Sequence, residues 1–275
     1  METYDASMSE PAVNVTLPGM VALITGGARG IGAGIARAFL GAGATVVVCG
    51  RNQPAAADLP SHGDRRASFV ACDVRRPEQV QAMVERVVGD HSRIDLLVNN
   101  AGGTPPANLA DSSPQLIDKL IQLNLTAPLY CAQAANRYMQ QQPGGGSIVN
   151  IASVAGVRPS PTTAVYGAAK AGLLSATESL AMEWGPKVRV NAIVAGFVAT
   201  EHSHDHYGGT EGIERISQMF PLKRLADPAD IAAACLYLAS PLARYVSGAR
   251  LAVHGGGEWP SFLYLARAQS SAPGA

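Results

Sequence analysis

An apolar segment, Met20 to Thr25, runs directly into Gly26-Gly-Ala-Arg29-Gly30-Ile31-Gly32 and then into an Ala-rich stretch of helical pattern through Leu40. A strand, a glycine turn and a helix in immediate succession leave few folds open to the chain. Gly26 and Gly30 let the backbone turn tightly and approach a phosphate, and Gly32 lets helix and strand pack closely. The start of the helix then offers free N–H groups to an anion. The spacing is G-x-x-x-G-x-G, not G-x-G-x-x-G. A second strand, Thr45 to Cys49, follows after Gly41-Ala-Gly43 and completes a β-α-β unit.

The same alternation continues to the C-terminus. Strands are expected at Ser68 to Ala71, Ile94 to Val98, Ser147 to Ala152, Val188 to Val194 and Leu251 to Val253. Helices are expected from Pro77 to Val88, from about Ser113 to Gln141, through Tyr166 and Lys170 until Gly185-Pro186 stops the turn, and from Pro228 to Ala239. This pattern predicts an α/β fold: one doubly wound parallel sheet of seven strands with helices on both faces, in a single domain. The 275 residues, 47% of them apolar, suffice for one such core. We place that domain at 17–260, between a flexible N-terminal arm (1–16) and a C-terminal tail (261–275).

Charge and cysteine usage narrow the function. The 21 basic and 21 acidic residues cancel, which argues against a nucleic-acid partner. No apolar run approaches the roughly 20 residues of a membrane span, so no membrane role is expected. The first sixteen residues lack a basic start and an apolar core, unlike a signal peptide. Cys49, Cys72, Cys131 and Cys235 are scattered without a C-x-x-C pair, as suits reduced thiols in a cytoplasmic protein.

Chemistry gathers at the predicted carboxyl ends of the strands. An NAD-binding unit would place an acid after the second strand to accept from the ribose 2′-hydroxyl. Here the chain reads Cys49-Gly50-Arg51-Asn52. A carboxylate would repel a 2′-phosphate, whereas Arg51 can pair with it and Arg29 can add a second charge, so NADP(H) is favoured over NAD(H). Asp73, after the third strand, is placed to accept from an adenine amino group or to cap a helix. Asn99-Asn100-Ala101-Gly102-Gly103 ends the fourth strand, and Asn124 interrupts a helix that disfavours it. Ser153 stands at the end of the fifth. Tyr166 and Lys170, four apart in an Ala-rich helix, share a face, and an ammonium there would lower the phenol's pKa and suit it to general acid–base work. His202, His204 and His206 alternate, but no Cys or Glu set completes a site with them and no metal is expected.

Taken together, Thr25-Gly26-x-x-x-Gly30-Ile31-Gly32, Asn99-Asn100-Ala101-Gly102, Asn124, Ser153, Tyr166-x-x-x-Lys170 and Asn191 resemble the short-chain dehydrogenase/reductase family, single-domain type, over roughly Leu17 to Gly257. The resemblance implies a Rossmann-type fold and ketone–alcohol interconversion, similar to 3-oxoacyl-thioester reductases and related ketone reductases. It implies that Tyr166 passes the proton, Lys170 lowers its pKa and holds the nicotinamide ribose, Ser153 binds the substrate oxygen, and Asn124 holds a water linking Lys170 to solvent. Gly26, Arg29, Ile31, Arg51, Asp73, Val74 and Asn100 resemble the family's cofactor contacts, and Val198 and Thr200 those that hold the carboxamide. Residues 200–221 fall where the family has its variable substrate lid. Ala195-Gly196 stands where Pro-Gly is usual, and a looser turn is expected. Small outer positions Ala168, Ala171, Leu174 and Ala181 suggest a homo-oligomer, tetramer or dimer. The alternative is a non-catalytic nucleotide-sensing or scaffold protein on the same fold.

Overall fold

The computed structural model describes residues 15–201, 203, 207–260, 262 and 263. The arm and tail fall almost wholly outside these residues, as do the three lid histidines. The strands are β1 (Val21–Thr25), β2 (Thr45–Gly50), β3 (Ser61–His62), β4 (Arg65–Arg66), β5 (Ser68–Ala71), β6 (Leu96–Asn99), β7 (Gly146–Ser153), β8 (Val188–Ala195) and β9 (Arg250–Val253). Seven of them form one parallel sheet in the order β5-β2-β1-β6-β7-β8-β9, as the alternating pattern predicts. The remaining two, β3 and β4, make a small antiparallel ribbon that the sequence does not announce. From β1 the chain steps outward to β2 and β5, then returns to β6 on the other side of β1. That reversal opens a crevice at the carboxyl ends, where sheets of this kind bind ligands.

Around the strands stand α1 (Gly30–Gly41), α2 (Pro77–His91), α3 (Pro114–Ile121), α4 (Ala127–Met139), α5 (Ala164–Trp184), α6 (Gly209–Gln218) and α7 (Pro228–Ala239), with several single-turn helices between them. One face of the sheet is covered by α1 and α7 through Ile35, Phe39, Val48, Ile231 and Leu238. The other is covered by α2 and α4 through Met83, Leu97, Cys131, Met139 and Ile148. Burying each such side chain contributes about 1.5–3 kcal/mol. On the same side α5 closes over β7 and β8, where Leu174 packs with Ala152, Val154 and Val194. Leu174 is therefore a core residue, not one of the outward positions expected from the helix pattern, while Ala168 and Ala171 do face outward.

The helix expected from Ser113 to Gln141 is broken by a π turn at Gln122–Thr126. Pro128 supplies the reason. It has no N–H for the carbonyl of Asn124 and its ring crowds that carbonyl, so the helix widens just before it. Two other differences are local. β6 begins at Leu96, not Ile94, and Asp95 turns its carboxylate onto the Val21 N–H at 2.8 Å and onto Arg93. At Ala195 the turn expected to be loose is held by the sheet: Ala195 is 5% exposed and paired with both Ser153 and Val253.

Candidate active site

The glycine turn lies at the carboxyl end of β1 against the start of α1. Gly26 and Gly30 have φ of 63° and 53°, the left-handed region in which glycine has no side chain to strain. At Gly32 a Cβ would stand 2.6 Å from Asn100 Nδ2, so the close helix–strand approach is met by the one residue that permits it. Asn100 itself braces the turn, its Nδ2 donating to the carbonyls of Thr25 (2.9 Å) and Gly26 (3.1 Å). Thr25 Oγ1 accepts from the N–H groups of Asn100 and Ala101 at 3.0 Å each. The side-chain amide of Asn100 is thus spent on the shape of the loop. The first turn of α1 carries no acid and no side-chain cap, which leaves its N–H groups to an anion. Ile31 packs partly into the core beneath it.

At the ends of β2 and β5 the sequence expectation needs amendment. Asp73 neither caps α2, whose N-cap is Arg76, nor presents a bare carboxylate. Arg75 grips it from two sides, Nε to Oδ1 at 2.9 Å and Nη2 to Oδ2 at 2.6 Å. That hydrogen bonding holds the Asp73 carboxyl down at about 2, with a smaller pull from the charge of Arg51. Arg75, which the sequence reading passed over, therefore joins exposed Arg51 at this edge, and two cations face one anion. Val74 is buried, so only its backbone can meet an adenine.

On the other side of the crevice, Ser153 ends β7 and accepts from the Ala155 N–H at 3.2 Å, which leaves its own proton to donate. Tyr166, on the first turn of α5, takes a hydrogen bond from Ser153 that favours the phenolate; desolvation outweighs it and raises the phenol's pKa. The Lys170 Nζ lies 5.7 Å from the Tyr166 ring centroid and donates to the Ile151 carbonyl at 2.8 Å. Burial lowers its pKa to about 8. Desolvation is thus the largest influence on the phenol. A phenol kept protonated is the form that donates.

Asn124 is fully buried on the π turn, where its amide clasps Gly103: Oδ1 accepts from the Gly103 N–H at 2.8 Å, and Nδ2 donates to the Gly103 carbonyl at 2.9 Å and to Leu120 at 3.0 Å. A side chain on Gly102 would meet Asn124 Oδ1 at 2.8 Å and Lys170 Nζ at 3.2 Å, so both groups stand over the same glycine. With its amide committed, Asn124 can meet a water through the backbone carbonyl that Pro128 leaves without its usual donor. Asn191, also in the motif set, ties β8 to the chain before β9 through Val246 and Ala249.

Beyond β8, Val198 bridges to Ala226, and Ser203 accepts from the Thr200 N–H at 2.7 Å. A side chain on Gly30 would touch Thr200 Cγ2 at 3.5 Å, which places Thr200 over the glycine turn. Ser203 gives no sign in the sequence of this bracing role. The glycine cradle and the uncapped start of α1 lie at the same carboxyl edge of the sheet as Ser153, and they suit the phosphates of a nicotinamide dinucleotide.

Comparison with known proteins agrees with this geometry. A family model described as enoyl-(acyl carrier protein) reductase matches residues 26–258. The D-threitol dehydrogenase of Mycolicibacterium smegmatis is 39% identical over 244 residues, which span 87% of this chain and 93% of that one. The 3-oxoacyl-[acyl-carrier-protein] reductase of Chlamydia muridarum is 36% identical over 250 residues, 89% of this chain and 99% of the relative. A crystal structure from Sinorhizobium meliloti 1021, provisionally named a short-chain alcohol dehydrogenase, superposes with a TM-score of 0.82 at 35% identity, covering 88% of this chain and 98% of that one.

Proposed function

This chain belongs to the short-chain dehydrogenase/reductase family, enzymes that act on CH–OH and C=O groups, and we propose that it reduces a ketone to a secondary alcohol with NADP(H) in preference to NAD(H). The observation that carries the reading is the meeting of the Ser153 hydroxyl, the protonated Tyr166 phenol and buried Lys170 at the carboxyl edge of β7. When bound, the nicotinamide supplies the hydride. Ser153 donates to the substrate oxygen and stabilises charge as it develops, and Tyr166 gives that oxygen its proton. Lys170, anchored on Ile151, holds the ribose side of the site. Gly26, Gly30 and Gly32 make room for the pyrophosphate at the start of α1, and Arg51 with Arg75 receives a 2′-phosphate.

Tetramer or dimer formation and a cytoplasmic location belong to the same proposal. Outward Ala168 and Ala171 on α5, together with Met182 at 87% exposure, support the first. The four free, buried cysteines support the second.

A ketone panel run with NADPH and then NADH tests the cofactor assignment, with loss of reduced-nicotinamide absorbance as the signal. Wild type should prefer NADPH, and Arg51→Asp should cut that preference by about 10- to 150-fold, the value of a charge-assisted pair. A wild-type preference for NADH would overturn it.

A further inference from the structure

Three buried polar side chains that the proposed chemistry leaves unused form one chain of hydrogen bonds across the sheet. Asn99 at the end of β6, Asn150 on β7 and Thr177 on α5 are 2%, 1% and 0% exposed, and the two asparagines are paired in register. Asn99 Nδ2 donates to the Pro128 carbonyl at 3.1 Å and to Asn150 Oδ1 at 2.9 Å. Asn150 Nδ2 donates to Thr177 Oγ1 at 3.0 Å. Thr177 gives its own proton to the Leu173 carbonyl at 2.8 Å, one turn back on its helix, which leaves the oxygen to accept. The Asn99 amide has to face this way round, because the flipped form would set its oxygen against two acceptors.

The ends of the chain meet the helices that carry the site. Pro128 stands at the start of α4, directly after the π turn that holds Asn124. Thr177 lies two turns past Lys170 on the same face of α5. That helix is therefore fastened to β7 at two points, Thr177 to the Asn150 side chain and Lys170 Nζ to the neighbouring Ile151 carbonyl at 2.8 Å. Asn124 Oδ1 and Lys170 Nζ stand over the same Gly102, and one chain of hydrogen bonds joins the elements behind both.

Stability does not account for this arrangement. Asn99 Oδ1 is buried and has no hydrogen-bond partner among the described residues. An orphaned amide oxygen is destabilising, whereas apolar side chains of the same shape at both ends of a buried hydrogen bond are nearly neutral. A local rule broken in a core points to a functional demand. We propose that Asn150 and Thr177, held through Asn99, are positioning residues that fix the height of α5 on the sheet and with it the reach of Lys170 over Gly102. The inference rests on the proposed carbonyl chemistry and adds to it residues that act only through another side chain.

Thr177→Val keeps the shape and removes the hydroxyl, and Thr177→Ser keeps the hydroxyl. With NADPH and the ketone that wild type reduces fastest, the Val variant should lose about 10- to 100-fold in kcat with KM within about threefold, the mark of reacting groups held slightly out of place. The Ser variant should stay within about threefold of wild type in both. Asn150→Leu/Thr177→Val removes both ends of their bond together; it should unfold at the same urea concentration as wild type or a higher one at pH 7, yet be as slow as Thr177→Val. A second readout needs no turnover. Burial holds Lys170 at about 8, so wild-type stability rises between about pH 8 and 10.5. A helix that shifts lets water reach the ammonium and moves its pKa back toward 10.5, which should cut that rise by about half or more in Thr177→Val. Full kcat in Thr177→Val, or an equal loss in Thr177→Ser, overturns the inference while leaving the ketone reductase reading standing. Wild type that reduces no ketone contradicts that underlying reading instead. The pH dependence of stability then decides on the positioning alone, and an unchanged rise in Thr177→Val overturns it.

Discussion

At Lys170 an ammonium is placed where water does not reach: the side chain is 3% exposed and its Nζ donates to the Ile151 carbonyl at 2.8 Å. Burial lowers its pKa from 10.5 to about 8. Below pH 8 the native and unfolded chains are both protonated, and native Lys170 carries the full desolvation cost, about 3 kcal/mol at 1.36 kcal/mol per pKa unit. Between about pH 8 and 10.5 the native state releases the proton while the unfolded state keeps it, so stability rises with pH across that window. Lys170→Met should therefore be at least as stable as wild type at neutral pH, and its advantage should shrink as pH climbs from 8 to 10.5. Urea midpoints along that range check this, and a difference that does not change with pH would count against it. The spacing of Tyr166 and Lys170 could be read from the sequence because four residues make one helical turn. That burial works on both residues could not, because it depends on β7 and the Asn124 turn packing around them.

The π turn shows how one element sets the site. Pro128 at the start of α4 withholds a donor from the helix, the turn widens, and Asn124 swings onto Gly103. The sequence marks Asn124 as out of place in a helix but not what it grips, because Gly103 lies 21 residues away. Asn100 and Asp73 were legible in the same partial way. Each stands at a strand end as predicted, yet Asn100 spends its amide on the glycine turn and Asp73 its carboxylate on Arg75. Side-chain pairing across neighbouring loops leaves no periodic trace. Pro128→Ala should restore the missing N–H and let the segment relax toward a regular α-helix. Stability should be unchanged or rise by about 1 kcal/mol, while kcat falls tenfold or more as Asn124 leaves its register over Gly102. Urea unfolding read beside kcat tests this; full activity in a stabilised variant would show that the π turn is dispensable.

Over the whole molecule, the apolar strands and the glycine-led β-α-β start were enough to predict the sheet. The β3–β4 ribbon was not, since Ser61–His62 and Arg65–Arg66 are too short to carry an alternating pattern. Leu174 was misplaced for the opposite reason: in a helix apolar on nearly every side, periodicity does not tell the core face from the outer one. The outward surface that remains, Ala168 and Ala171, should pair copies of the chain. Sedimentation should find a dimer or tetramer that Ala171→Glu dissociates, and a stable wild-type monomer would exclude it. Sheet, crevice and helices matter here because they bring Ser153, Tyr166 and Lys170 to one place, and Tyr166→Phe questions that assembly most directly. The variant should bind NADPH as wild type does, yet reduce ketones about 100- to 10,000-fold more slowly, the value of a positioned acid. A Phe variant that turns over ketone at the wild-type rate would contradict the assignment of Tyr166 as the proton donor.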